Sequence, residues 1–262
     1  MLPLTGPRFP ESVEELAVAL HAGLAGIDIS PRELAISGEW PRVKNLSIDL
    51  TGARISRTTP MPKKSAKTRT TIFVENLALS AAPVFFEDAP VHVRLHANET
   101  ECRVAGDSPD ESSLHLLNTK NGSVMIEAQR ADLETALKKF AHTFLAKQGA
   151  ELKSAQLELL ERSPRVLAFR AEITAKAFVM TARVEVTGQL EIDEQLNLRV
   201  RELATTGHGV IATLATGFLR PRFAEIEKRS IPLAAYPFAG VALRDVRISG
   251  GNALRIDAQF GA

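Results

Sequence analysis

The sequence predicts an α+β fold in which a long curved antiparallel β-sheet wraps around one or two long helices. Two observations carry this. After Asp132 the apolar residues Leu133, Leu137, Phe140 and Phe144 recur at i, i+4, i+7 and i+11, which places all four on one face of a helix. From Leu152 to Leu203 the period falls to 2 over successive segments, so apolar residues line one face of an antiparallel meander while Lys, Arg, Glu and Thr crowd the other. The helical stripe needs an apolar cover, and the one-faced sheet offers it.

Taken in order, the chain opens with a helix over about 13 to 25. Ser12 and Glu15 have capping-box spacing, Val13, Leu16, Leu20 and Leu24 share a face, and Gly26 ends the pattern. Its polar side carries Glu11, Glu14 and Glu15 rather than the Lys and Arg of membrane-surface helices, so it is expected to dock on its own domain. Pro31 and Pro41 then bracket an irregular stretch holding Trp40. Residues 1–42 are thus read as an N-terminal amphipathic helix with an irregular lead-in, and 43–262 as a single α+β domain.

Leu46, Ile48 and Leu50 alternate as a strand. Ile72 and Val74 begin another, and the passage of the apolar face to Leu77 and Leu79 predicts a bulge at Glu75-Asn76. Val91, Val93 and Leu95 give a third strand, and Val124 and Ile126 a short one leading to the helix, where Asp132 is the expected N-cap. After the meander a second helix is predicted over 209–228, with Val210, Leu214, Phe218 and Ile226 as its stripe and a bend at Pro221. The chain closes on a hairpin whose turn is Gly250-Gly251-Asn252.

A formal net charge of +1 gives no reason to expect nucleic acid as a partner, because that binding needs many uncompensated cations. Arg54, Arg57, Lys63, Lys64, Lys67 and Arg69 nevertheless follow one another with no acid between them. This segment reads either as a solvated loop or as a contact for anionic lipid headgroups, with Lys63, Lys64, Lys67 and Arg69 as its cations. The single cysteine, Cys102, excludes an intrachain disulfide. The first residues lack a basic start and a signal-length apolar run, and no stretch reaches the roughly 20 apolar residues of a membrane-spanning helix. The expected location is cytoplasmic, with peripheral membrane contact.

No Gly-x-Ser-x-Gly elbow or phosphate-cradling loop is present. His92 and His96 share a strand face, but no Asp, Glu or Cys of matching phase stands beside them, so the face reads as turned to water. His21, His115, His142 and His208 read as isolated. A non-catalytic protein without metal or cofactor is expected.

The run from Gly240 to Gly251 with Leu254-Arg255-Ile256-Asp257-Ala258 resembles the C-terminal signature of the bacterial LmeA-type phospholipid-binding family. Ala131-Asp132-Leu133-x-x-Ala136-Leu137, Gly188-Gln189-Leu190-Glu191-Ile192-Asp193 and Asn45-Leu46-Ser47-Ile48-Asp49-Leu50 agree with it. The resemblance covers about residues 43 to 260 and implies a fold similar to the tubular lipid-binding modules, with an apolar tunnel or groove and no catalytic residues. It implies binding or transfer of a phospholipid or other fatty-acyl ligand, with Leu133, Leu137, Phe140, Phe144, Phe169, Phe178, Met180, Leu214 and Phe218 as the lining. A protein-interaction scaffold using a sheet edge or an apolar groove is the alternative. Either way these side chains also serve as ordinary core.

Overall fold

The computed structural model describes residues 1–56, 67–86, 89–147, 149–177, 180–208, 221, 223–233 and 243–262, with the side chains at 177, 180 and 208 outside the description. The chain forms two compact units. Residues 1–126, 234–245 and 257–262 make the first, and residues 127–233 and 246–256 the second.

The expectation of a long antiparallel sheet wrapped around a long helix is corrected by the structure. Of the described residues 63% are strand and 18% helix; they form two sheets, and no sheet among them wraps a long helix. One sheet has nine strands in the order β13 (Leu243–Ser249), β14 (Ala253–Phe260), β7 (Ser112–Gln129), β6 (Ala89–Gly106), β5 (Thr68–Phe86), β3 (Arg42–Asp49) and β2 (Glu33–Glu39). Short β1 (Leu2–Leu4) joins β7, and β4 (Arg54–Ile55) joins β5. It is a mixed sheet, because β3 and β4 run parallel to β5. The other sheet is the meander, β8 (Glu151–Ser163), β9 (Val166–Ala177), β10 (Met180–Ile192) and β11 (Asn197–His208), each antiparallel to the next, with β12 (Ser230–Pro232) beyond β11.

In the first unit α1 (Val13–Ala25) packs on β1 and β2. Ser12 Oγ accepts from the Glu15 amide at 3.2 Å, as the capping box requires, while the Glu15 carboxylate accepts from the Glu11 amide at 2.8 Å and pairs with Arg8 instead of closing on Ser12. Leu16, Leu20 and Leu24 are buried, as are Val43, Leu46, Ile48, Ile72, Val74 and Leu114 on the sheet.

The phase slip expected at Glu75-Asn76 is present, but it is not a bulge of one strand. The β5–β6 register runs unbroken from Val74↔Thr100 to Asn76↔Asn98. The step is shared by four neighbouring strands. Lys44-Asn45, Glu75-Asn76, Asn98-Glu99 and Lys120-Asn121 are each two successive exposed residues, after which the buried face resumes on the other parity. Asn45 Nδ2 donates to Ser37 Oγ at 3.1 Å, Asn76 Nδ2 to Asn45 Oδ1 at 3.2 Å, and Asn98 Nδ2 to Asn121 Oδ1 at 2.8 Å. Glu99 accommodates the step with a φ of 50°. At the edge, the register shifts between Ser37 and Gly38, and the φ of 122° at Gly38 is one a side chain would not tolerate beside the Lys44 amide.

Cys102 is buried on β6, and desolvation pushes its thiol up to about 12. Ellman's reagent at mildly alkaline pH is therefore expected to find no thiol in the native protein and one after unfolding. The thiol's folded pKa is raised, so its contribution to stability is complete below the ordinary thiol range. That contribution is lost at about 1.4 kcal/mol per pH unit as pH rises from there towards the folded value.

A candidate apolar site on the five-stranded sheet

The second unit is organised by alternation. Register pairing puts Leu157, Leu159, Leu167, Phe169, Ile173, Val184, Val186 and Leu190 on one face of β8–β10, and Leu198 and Val200 of β11 continue it. The opposite face is ionic. Arg170 pairs with Glu185 at 2.6 Å and with Glu158 at 3.8 Å, Arg183 pairs with Glu172, and Arg201 lies 3.6 Å from Glu191. The Glu185 hydrogen bond drives the Arg170 pKa further above its usual value, so this face carries charge at every physiological pH.

The helix α2 (Arg130–Ala146) packs chiefly on β8. Its N-cap is Gln129 rather than Asp132, which lies inside the first turn, where a carboxylate favours the positive end of the helix. Glu134 Oε1 accepts the Leu157 amide at 3.1 Å, so a polar side chain of the helix satisfies a donor of the edge strand. Ala141 is the buried residue of α2 at 3% exposure, whereas Leu133, Leu137 and Phe144 are half-buried and Phe140 is 68% exposed. The stripe read from the sequence therefore coincides only in part with the seam that the helix uses, which centres on Ala141. At one end of the sheet the Gly250–Asn252 turn is clamped, with Ile248 N donating to Pro164 O at 2.8 Å and Arg130 N to Asn252 O at 2.9 Å.

Small residues on the apolar face, Ala155, Ala171, Ala175 and Ala182, are buried. The larger Leu157, Phe169, Ile173, Val186, Leu190, Leu198 and Val200 remain half-buried. Phe169 lies across Gly188 on the next strand, where an added Cβ would meet its ring at 2.6 Å. Of the expected lining, Leu133, Leu137, Phe140, Phe144 and Phe169 therefore belong to this unit. Phe178, Leu214 and Phe218 lie outside the described residues, as does the Met180 side chain and most of the helix expected over 209–228.

The basic segment is only partly described, Lys63 and Lys64 lying outside it. Arg69 is engaged: Nε donates to Gly106 O at 3.0 Å, Nη2 to Asp107 O at 2.9 Å, and the guanidinium sits 4.5 Å from the Phe9 ring centre. His115, read from the sequence as isolated, is buried beside Ser113, with Nε2 and Oγ 2.7 Å apart on β7 where β1 pairs with it. The signal was a Ser-x-His on one strand face. Among the described residues no three His, Cys, Asp or Glu side chains are placed to hold a metal ion, and no helix is long and apolar enough to cross a membrane.

No protein-family model, curated protein or solved structure matches the chain.

Proposed function

We propose that the chain binds a phospholipid or other long-chain fatty-acyl ligand on the apolar face of the five-stranded sheet, beside α2. The observation that supports this is the row of large apolar side chains, Leu157, Phe169, Ile173, Val186 and Leu190, left half-buried around the buried Leu159, Leu167 and Val184, on a face opposite the one that carries the paired Arg170, Arg183 and Arg201. Each methylene removed from water against such a face contributes about 0.8 kcal/mol, so a single acyl chain supplies enough for binding without a polar contact. The segment containing Lys63, Lys64 and Lys67, in the other unit, is proposed independently as a contact for an anionic membrane surface, each cation adding about 1 kcal/mol there.

The test is mass spectrometry of an organic extract of the purified protein, followed by loading with phosphatidylglycerol. Stoichiometric lipid is expected in the parent and a loss of about tenfold in affinity in the variant Ile173→Asp, Phe140→Asp. The single variant Phe140→Asp should leave the melting temperature unchanged, since the ring is 68% exposed, and still weaken loading. A parent protein that carries no lipid and takes up none would overturn the proposal and return attention to a protein partner.

A further inference from the structure

A second site lies in the other unit, on the water-facing side of the nine-stranded sheet. Above the asparagine step, Arg42 on β3, Phe73 on β5 and Glu101 on β6 are direct register partners, so they form one row across three strands. Glu75 and Glu99 stand in the next row and Asn118 on β7 beyond, and together these side chains line a groove of about 440 Å³. Its floor is the Phe73 ring, 52% exposed and surrounded in the groove by Arg42, Glu75, Glu99, Glu101 and Asn118. A volume of this order falls within the range of small-molecule sites.

Lone exposed apolar residues are common, so the ring alone indicates nothing. What distinguishes this one is its surroundings. Lys120 holds Glu99 at 2.5 Å, but the side chains of Arg42, Glu75, Glu101 and Asn118 have no hydrogen-bond or ion-pair partner among the described residues. Neighbouring strands are spaced at about 4.8 Å, so Arg42 and Glu101 flank the ring with their backbones about 10 Å apart.

We propose that this groove binds a neutral oligosaccharide, one pyranose ring lying on Phe73 with its hydroxyls taken by Arg42, Glu101 and Asn118. The argument is one of matching. Arg42 only donates, the carboxylates only accept, and Asn118 does both, whereas each sugar hydroxyl can donate and accept at once and can therefore satisfy every group in the set. The apolar C–H face of the sugar covers the ring. An anion would meet three carboxylates, a cation would leave Arg42 unpaired, and an apolar ligand would strip water from four polar side chains without replacing it.

The proposal is tested by calorimetric titration of the full chain with linear trisaccharides of glucose in β-1,4, β-1,3 and α-1,4 linkage and with chitotriose, and separately with arginine ethyl ester. Saturable binding of one of these sugars is expected, little changed by added salt, because no net charge is exchanged. Phe73→Ala should weaken it by about tenfold or more, and Phe73→Tyr, which keeps the ring, should restore it. Both variants are expected to melt as the parent does, since the ring is half exposed. Three results would each overturn the proposal: no saturable binding of any of the sugars at millimolar concentration, binding unaffected by Phe73→Ala, or a salt-sensitive preference for arginine ethyl ester. Loss of lipid loading in the other unit bears on none of these.

Discussion

Phe260→Ala is expected to destabilise the protein by about 3–5 kcal/mol, the cost of deleting a fully buried aromatic ring whose cavity cannot collapse. Phe260 on β14 is 2% exposed, and its ring lies against Gly122 of β7 so closely that a Cβ there would sit 2.2 Å from a ring carbon. The two positions are one packing unit. Gly122→Ala should therefore cost about 1–3 kcal/mol by overpacking in the parent, and much less once Phe260→Ala has emptied the space. Urea unfolding of the two single variants and the double variant, followed by near-ultraviolet circular dichroism, measures the coupling. Additive costs would show that the ring does not depend on the glycine.

Gly23→Val is the second large effect, and the interest lies in its sign. At an exposed helical site, replacing glycine usually gains a few tenths of a kcal/mol or more in helix propensity. In α1, however, the added Cβ would lie 2.4 Å from Pro3 O, 2.5 Å from Pro3 C and 2.8 Å from Leu4 N. These are backbone atoms of β1, held by Leu2↔Leu114 and Leu4↔Ser112 pairing and by the Thr5 amide donating to Ala19 O at 3.0 Å, so no side chain can swing aside. The expected outcome is a net loss of about 1–3 kcal/mol with β1 detached from β7. Faster amide exchange at residues 112–114 would report the detachment. Unchanged exchange with raised stability would show that the helix and β1 separate freely.

How much of this was legible in the sequence depends on whether a feature lives within one segment. The capping residue Ser12 and the stripe Leu16, Leu20, Leu24 located α1, and strict alternation located β8–β11 together with the face each residue takes. Periodicity says which face is apolar but not what it meets. It could not show that β3 pairs parallel with β5, that residues 2–4 add a strand to β7, or that α2 would bury Ala141 and leave Phe140 in water. The groove was missed for a related reason: between Ile72 and Val74, Phe73 occupies the polar phase of its strand, where an aromatic ring draws no notice. Its signal was indirect. A charged residue beside an asparagine recurs in four strands, at 44–45, 75–76, 98–99 and 120–121, and only the second was recognised as a change of phase.

That shared step also governs how the chain tolerates changes of length. In most sheets a residue gained or lost in one strand is absorbed by a local irregularity, but here four strands change parity along one line. Deleting Lys44 alone would turn Arg42 inward and Val43 outward while β5 and β6 kept their own phase, placing a guanidinium in the core. Single-residue insertions and deletions should therefore be rejected in the body of these strands and accepted in the turns between them. A deletion scan across residues 42–124 would display this as four intolerant blocks, one per strand, each containing its asparagine and bounded by tolerant turns.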